Sequence, residues 1–315
     1  MLNSPVLFLV FNRPDTTAKV FDVIRQVQPA RLFIAADGPR PGKEGEAKLC
    51  KEVRDLVLKG IDWKCEVKTL LREENLGCGK AVSGAITWFF EHVEEGIILE
   101  DDCLPDNSFF PFCSELLEKF RDDQRVMSIS GSNLLGKAWK EDMHSYFWGI
   151  TGIWGWATWR RAWTFYDFQM SEWKNPEIKD RICNALRSRG WFEFYFAMFE
   201  STYNGTLDTW DVQWLYTILI NGGLAVNPSV NLVRNIGFGD LATNTFDKNN
   251  PIALLKTHTI EFPLKHPLHF ITDVDYLDQM LINIRPKQKQ KNRLINVIET
   301  VKGIKRAALR LKNKL

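Results

Sequence analysis

Several signals that would place this chain quickly are missing. Its six cysteines (Cys50, Cys65, Cys78, Cys103, Cys113, Cys183) form no CxxC pair and show no metal-ligand spacing. That argues against a zinc module or a disulfide scaffold and for reduced, mostly buried thiols. No apolar run approaches the roughly 20 residues needed to span a bilayer. Met1-Leu2-Asn3-Ser4-Pro5 carries no basic region ahead of an apolar stretch, so no signal peptide and a cytoplasmic location are expected. Gly77-Cys78-Gly79-Lys80 lacks the four-residue spacer and the Ser/Thr of an ATPase phosphate loop. There is no internal repeat and no low-complexity segment.

What remains is an ordinary globular composition, 45% apolar over 315 residues, enough for one large α/β domain or a domain with an appendage. The net charge of +2 is unevenly spread. From Arg285 to Leu315 there are eleven Lys/Arg and one acid, Glu299, so this tail carries +10 and the body −8. An acidic body is not expected to bind nucleic acid. In the tail, Leu294, Val297, Ile298, Val301, Ile304, Ala308 and Leu311 recur every three or four residues between basic ones. A basic amphipathic helix at 285–315 could dock on the body, pair with another subunit or lie on an anionic membrane surface.

The first hundred residues alternate in kind. Val6 to Phe11, Arg31 to Ala36, Cys65 to Leu71 and Ile97 to Leu99 read as strands. Amphipathic stretches between them, through Val20 and Ile24, over Glu46 to Leu58 and over Ala81 to Phe90, read as helices. This pattern predicts a mostly parallel sheet with helices on both faces. Ligands bind such sheets outside the carboxyl ends of the strands, so Asn12, Arg13, Asp37, Arg72 and the acids after Leu99 should converge there. Further on, helices are expected over Phe109 to Arg121, Pro176 to Ser188, Trp191 to Tyr203 and from Thr209 to Asn221, with short strands at Val126 to Ser130 and Leu224 to Val226. Tyr146 to Trp163 matches no simple period and is read as a loop or short strand feeding a helix near Arg160.

The most telling stretch is Glu100-Asp101-Asp102, directly after an apolar strand and before Pro105. Three adjacent carboxylates need a counter-charge, which a hard divalent cation with bound phosphate would supply. The same acids could merely cap the following helix. Most of the twelve Trp lie between Trp139 and Trp214; such a cluster is either core or a surface on which a sugar's C–H face packs.

Together these residues resemble nucleotide-sugar-dependent glycosyltransferases of the GT-A fold, closest to the family 2-like group and the N-acetylglucosaminyltransferase I type. The triplet, the Ser108-Phe109-Phe110 helix start and Asp37 at an earlier strand end carry the likeness. Phe11-Asn12-Arg13-Pro14 and Trp154-Gly155-Trp156-Ala157-Thr158-Trp159 are similar to a bacterial subgroup of sugar transferases. The resemblance implies a catalytic domain over 1–240, with a nucleotide-binding half to about 105 and an acceptor half from about 106. A segment at 241–284 would pack near the active site.

By the same resemblance, Asp102 would ligate a divalent metal bridging the donor's phosphates. Asp101 and Glu100 would stand beside it, and Asp37 would contact the base or ribose. Arg72, Asn75 and Lys80 would lie along the nucleotide, with Asn12 and Arg13 nearby. Asp211 would be the general base, although Trp210 stands where the family usually has Glu, and Asp208 is a rival. Trp154 and Trp156 are candidates for acceptor stacking. Carboxylate and phosphate ligation suits Mn²⁺ or Mg²⁺ better than Zn²⁺. The implied reaction is inverting transfer from a nucleotide-diphospho-sugar, UDP-sugar favoured, to a glycan or lipid-linked acceptor. A nucleotide- or glycan-binding scaffold without turnover is the alternative. A sugar-phosphate nucleotidyltransferase ranks lower, because the loop after the first strand has no glycine.

Overall fold

The computed structural model describes residues 1–150, 152–187, 189–238 and 251–284. The basic tail expected at 285–315 lies outside the described residues.

The first four strands are β1 (Val6–Val10), β2 (Arg31–Ala36), β3 (Glu66–Leu71) and β4 (Glu95–Glu100). They pair in the order β3-β2-β1-β4, all parallel. The connecting helices are α1 (Pro14–Val27), α2 (Glu46–Gly60) and α3 (Gly77–His92). Alternate residues face opposite sides. Val6, Phe8 and Val10 pack with Ile34 on Val20 and Ile24 of α1 and Val53 and Val57 of α2. Leu7 and Leu9 pack with Phe33 on Ala85, Ile86 and Phe89 of α3. β1, β2 and β4 are covered on both faces, which is why they read as apolar runs, whereas the edge strand β3 is largely exposed. Each large side chain buried this way is worth about 1.5–3 kcal/mol. Pro14 opens α1, its fixed φ matching the first helical position.

The sheet then turns mixed. After β5 (Cys103–Pro105) and α4 (Phe109–Lys119) come β6 (Val126–Ser130), β7 (Tyr146–Gly149) and β8 (Trp156–Trp159). Next are the short α5 (Arg160–Trp163), α6 (Pro176–Leu186), α7 (Arg189–Tyr203), α8 (Asp211–Ile220), β9 (Leu224–Pro228) and β10 (Val233–Asn235). The sheet continues β4-β8-β6-β9-β7, with β8 antiparallel to both neighbours. Tyr146 to Trp163 is therefore two strands and a one-turn helix, more order than its composition suggested. β8 is buried on both faces, so no alternation marks it. The small antiparallel pair of β5 and β10 was not expected at all.

A third core joins Ile178 and Ile182 of α6, Trp191 and Phe199 of α7 and Leu215 and Tyr216 of α8. It also takes in Tyr276 and Leu277 of the last described helix, α9 (Val274–Ile284). Trp191 Nε1 donates to the Leu277 carbonyl at 2.8 Å. Before α9 the chain packs Ile260 and Leu264 into the core that β1 and α4 share. There Ile260 N–H reaches Ser108 Oγ and Trp148 Nε1 reaches the His269 carbonyl.

Candidate active site

Parallel register fixes the site. Val10 stands level with Ala36, and Leu9 with Glu100. The segments leaving β1, β2 and β4 therefore emerge side by side, with Arg72 just past β3. They surround a cavity of about 260 Å³ whose lining includes Phe11, Asn12, Arg13, Asp37, Arg72, Asn75, Glu100, Asp101 and Asp208. Leu9, Ala35, Ala81, Val82 and Ala85 give it an apolar floor.

Arg13 dominates the charge balance. Its Nη1 donates to Asp102 Oδ2 at 2.8 Å and its Nη2 to Asp101 Oδ1. Asp101 also accepts the Phe11 N–H at 3.3 Å. Burial opposes the Arg13 charge, but the two aspartates outweigh it and hold the guanidinium firmly protonated. Burial pushes Asp101 up to about 6 despite Arg13. Glu100 is driven well above the ordinary carboxylate range, first by burial and then by the charges of Asp102 and Asp101. Among the described residues, none donates a hydrogen bond to its carboxyl.

Asp211, the first residue of α8, belongs to the same group: its charge acts on Glu100 and on Cys78. Burial raises it too, against a hydrogen bond from Thr209 Oγ1. Asp208 lies elsewhere in role. Its carboxylate accepts the Cys78 and Gly79 N–H groups, both at 3.0 Å, so it caps α3 from 130 and 129 residues away. A Cβ at Gly77 or Gly79 would fall 2.6 or 2.7 Å from that carboxylate, and Gly77 has φ +79°. These glycines exist for this approach. Asp208 is thus placed as a cap that also borders the cavity.

Asp37 accepts Asn75 Nδ2 at 2.9 Å and the Leu76 N–H at 3.1 Å. Burial still raises its carboxyl. Arg72 Nη1 donates to the Ala81 carbonyl at 3.0 Å. Lys80 is exposed and lines a separate shallow groove that Arg72 also borders. Asn12 donates to Glu46 at 2.9 Å, which ties the loop after β1 to the start of α2. Trp154 is half-buried, edge-on to Phe238. Trp156 is fully buried against Trp210 and Trp214, so its placement is that of core rather than of an acceptor platform.

Sequence reading missed Arg40 and Glu46. Arg40 lines the cavity, pairs with the buried Glu46 and stands over the Phe11 ring at 5.6 Å. In sequence Glu46 looks like one more acid at a solvated helix start, and only its burial distinguishes it.

The oxygen donors of Asp101 and Asp102 are of the kind a hard cation prefers, but their arrangement does not fit one. Arg13 already takes an oxygen of each carboxylate. Gly237 closes Asp102, since a Cβ there would fall 2.2 Å from Oδ2. Among the described residues, no three His, Cys, Asp or Glu side chains are grouped to hold a metal.

No protein-family model matches the sequence, and no curated protein matches it. Solved structures give remote likenesses. Mouse xyloside xylosyltransferase 1 is 10% identical over 69% of this chain and 81% of its own, with a TM-score of 0.34. The inositol-1-phosphate CTP transferase of T. maritima is 11% identical over 53% and 75%, TM-score 0.31. HddC from Yersinia pseudotuberculosis is 11% identical over 50% and 77%, TM-score 0.30. Likenesses this distant assign no activity.

Proposed function

We propose that the chain is an inverting glycosyltransferase. It moves a sugar from a nucleoside-diphosphate donor, UDP-sugar favoured, to a hydroxyl of a glycan or lipid-linked acceptor, in bacterial polysaccharide or glycolipid synthesis. The observation that carries this reading is the convergence of Arg13, Asp37, Arg72, Glu100 and Asp101 on one strand-end cavity, with the charge of Asp211 acting on Glu100. The resemblance of these residues to GT-A transferases supplies the roles.

Asp37 and Asn75 hold the base or ribose, whose flat ring lies on the apolar floor. Arg72 and Arg13 face the diphosphate. The acceptor hydroxyl gives its proton to Asp211 as its oxygen attacks the anomeric carbon. The bond from that carbon to the phosphate oxygen breaks, and nucleoside diphosphate leaves. Attack from the side opposite the phosphate inverts the centre. A carboxylate whose pKa is raised by burial is a better base near neutral pH than an ordinary one. Mn²⁺ or Mg²⁺ would need the oxygens of Asp101 and Asp102, and Arg13 holds one of each. A peripheral position on an anionic membrane surface rests on the sequence of 285–315 alone.

One observation favours a second reading, a scaffold that binds nucleotide without turnover: Arg13 closes Asp101 and Asp102. Nucleotidyl transfer is disfavoured because β1 passes through Phe11-Asn12-Arg13 straight into α1, leaving no glycine-rich loop for a triphosphate. The deciding experiment incubates the protein with nucleotide sugars and with oligosaccharide and lipid-linked acceptors, and follows products by mass spectrometry. Addition of a hexosyl or N-acetylhexosaminyl unit is expected. Binding without product would assign the scaffold. Formation of a nucleotide sugar from a triphosphate and a sugar phosphate would assign nucleotidyl transfer.

A further inference from the structure

The outer face of α3 carries a groove that lies outside the donor cavity. Lys80, Ser83, Gly84, Thr87, Trp88 and Glu91 follow one another at three or four residues, so they form one stripe along the helix. At a rise of about 1.5 Å per residue the stripe is roughly 16 Å long. With Tyr166 and Phe168, from the segment after α5, it lines a shallow cavity of about 550 Å³. A second, of about 490 Å³, continues it towards Arg160 and Trp163, and the two share Thr87, Glu91 and Tyr166. Arg72 borders both this groove and the donor cavity; their linings otherwise differ. The rings are held in place. The Tyr166 hydroxyl donates to the Trp210 carbonyl at 3.0 Å, its ring stacks on Trp163 at 4.1 Å, and Trp163 Nε1 donates to Thr87 Oγ1 at 3.0 Å. Trp88 packs edge-on to Phe33. Trp88, Tyr166 and Phe168 are only half-buried, and they share the groove with exposed Lys80, Thr87 and Glu91. Among the described residues, neither Lys80 nor Glu91 forms an ion pair.

We propose that this groove is a second carbohydrate site, which holds a stretch of glycan chain outside the donor cavity on Trp88, Tyr166 and Phe168. Sugar rings offer C–H faces to aromatic side chains and hydroxyls to an ammonium, a carboxylate and a threonine, and the groove presents all of these together. An amphipathic helix from a protein partner would need an unbroken apolar groove, which Lys80, Thr87 and Glu91 interrupt. The choice of a glycan rests in part on the transferase reading above. It adds that a chain already several units long is gripped away from the hydroxyl that reacts.

The test probes an array of bacterial and plant oligosaccharides with the full chain, without nucleotide, and then titrates the bound glycan calorimetrically into the unaltered protein and its Phe168→Ala and Glu91→Ala variants. One glycan class should bind, its oligosaccharides more tightly than its monosaccharide. Phe168→Ala should weaken binding about tenfold through the lost ring face. Glu91→Ala should weaken it about threefold through a lost hydrogen bond. Glu91 is exposed, so its variant still reads the groove if Phe168→Ala fails to fold. Neither variant should change the rise in melting temperature that UDP gives the unaltered protein. Absence of binding to every glycan by the folded protein would overturn the proposal, as would binding that both variants keep in full. Competition of the glycan by UDP would put the sugar in the donor cavity and overturn it too. So would a dimer that Phe168→Ala or Glu91→Ala dissociates, which would assign the groove to a second copy of the chain. Glycan binding weakened by the variants, with no sugar transferred from any nucleotide sugar, would instead overturn the transferase reading and leave the groove standing.

Discussion

The two halves of the central sheet bury opposite things. At the ends of β1 to β4 the chain buries charge: Arg13 between Asp101 and Asp102, Glu100 beside them, and Asp211, whose charge acts on Glu100. On β8 and the helices α5 and α8 it buries indole. Trp156 lies 5.5 Å from Trp210 and 5.7 Å from Trp214, and Trp163 stacks on Tyr166 at 4.1 Å. The indole N–H groups of Trp156 and Trp214 have no partner among the described residues, so packing there outweighs two unmade hydrogen bonds. In the charged half, burial raises Glu100, Asp101 and Asp211 together. Crowded like charges cost stability, and they are tolerated where chemistry needs them. One half supplies the stability that the other spends.

Mutations should separate the halves by readout. The largest effect is expected from Asp211→Asn, which should lower transfer by on the order of 10²–10⁴ while leaving nucleotide affinity and melting nearly unchanged. If transfer survives, the base lies elsewhere. Trp156→Ala should do the reverse, costing about 3–5 kcal/mol in chemical denaturation with little change in transfer per folded molecule. A selective loss of acceptor affinity instead would return Trp156 to the acceptor site. Asp208→Ala should cost about 0.5–2 kcal/mol, as expected for a helix cap, and reduce transfer less than Asp211→Asn.

pH should move stability and transfer in opposite directions, both through the charged half. Carboxyls raised in the folded state favour folding at low pH, and that contribution fades as pH rises through their folded pKa values, about 6 for Asp101. Melting temperature should therefore fall as pH climbs from about 4 through 6, and Glu100→Gln should flatten the fall. Transfer should rise with pH as Asp211 ionises, at higher pH than an ordinary carboxylate because burial raises it. The smallest effect is expected from Lys80→Ala, which should alter nucleotide affinity within about twofold because an exposed charge is screened. A larger loss would bring the groove beside α3 into the donor site.

The charged edge was the more legible half. Runs buried on both faces announce parallel strands, and parallel strands bring their ends together, so Arg13, Asp37, Arg72 and the acid triplet could be placed from sequence order alone. What they do to one another could not. An arginine after a strand reads the same whether it meets solvent or bridges two aspartates. Asp208 looked like a rival base because its partners, Cys78 and Gly79, lie far back in the chain. The aromatic half hid its strands, since β8 is apolar and buried on both sides without the βα rhythm that exposed β1 to β4. Trp156 shows the ambiguity of a tryptophan cluster: its composition is that of a sugar platform and its environment is that of a core.

The central claim is that the strand-end cavity is a nucleotide site. It is tested most directly by thermal-shift titration of the protein with nucleoside diphosphates and their sugars, beside an Asp37→Ala variant. A ligand bound only by the folded state raises the midpoint by mass action. Stabilisation by one nucleotide, UDP expected, that is lost or sharply weakened in Asp37→Ala is the predicted result. A midpoint unmoved by every nucleotide, with or without Mn²⁺, would contradict the account.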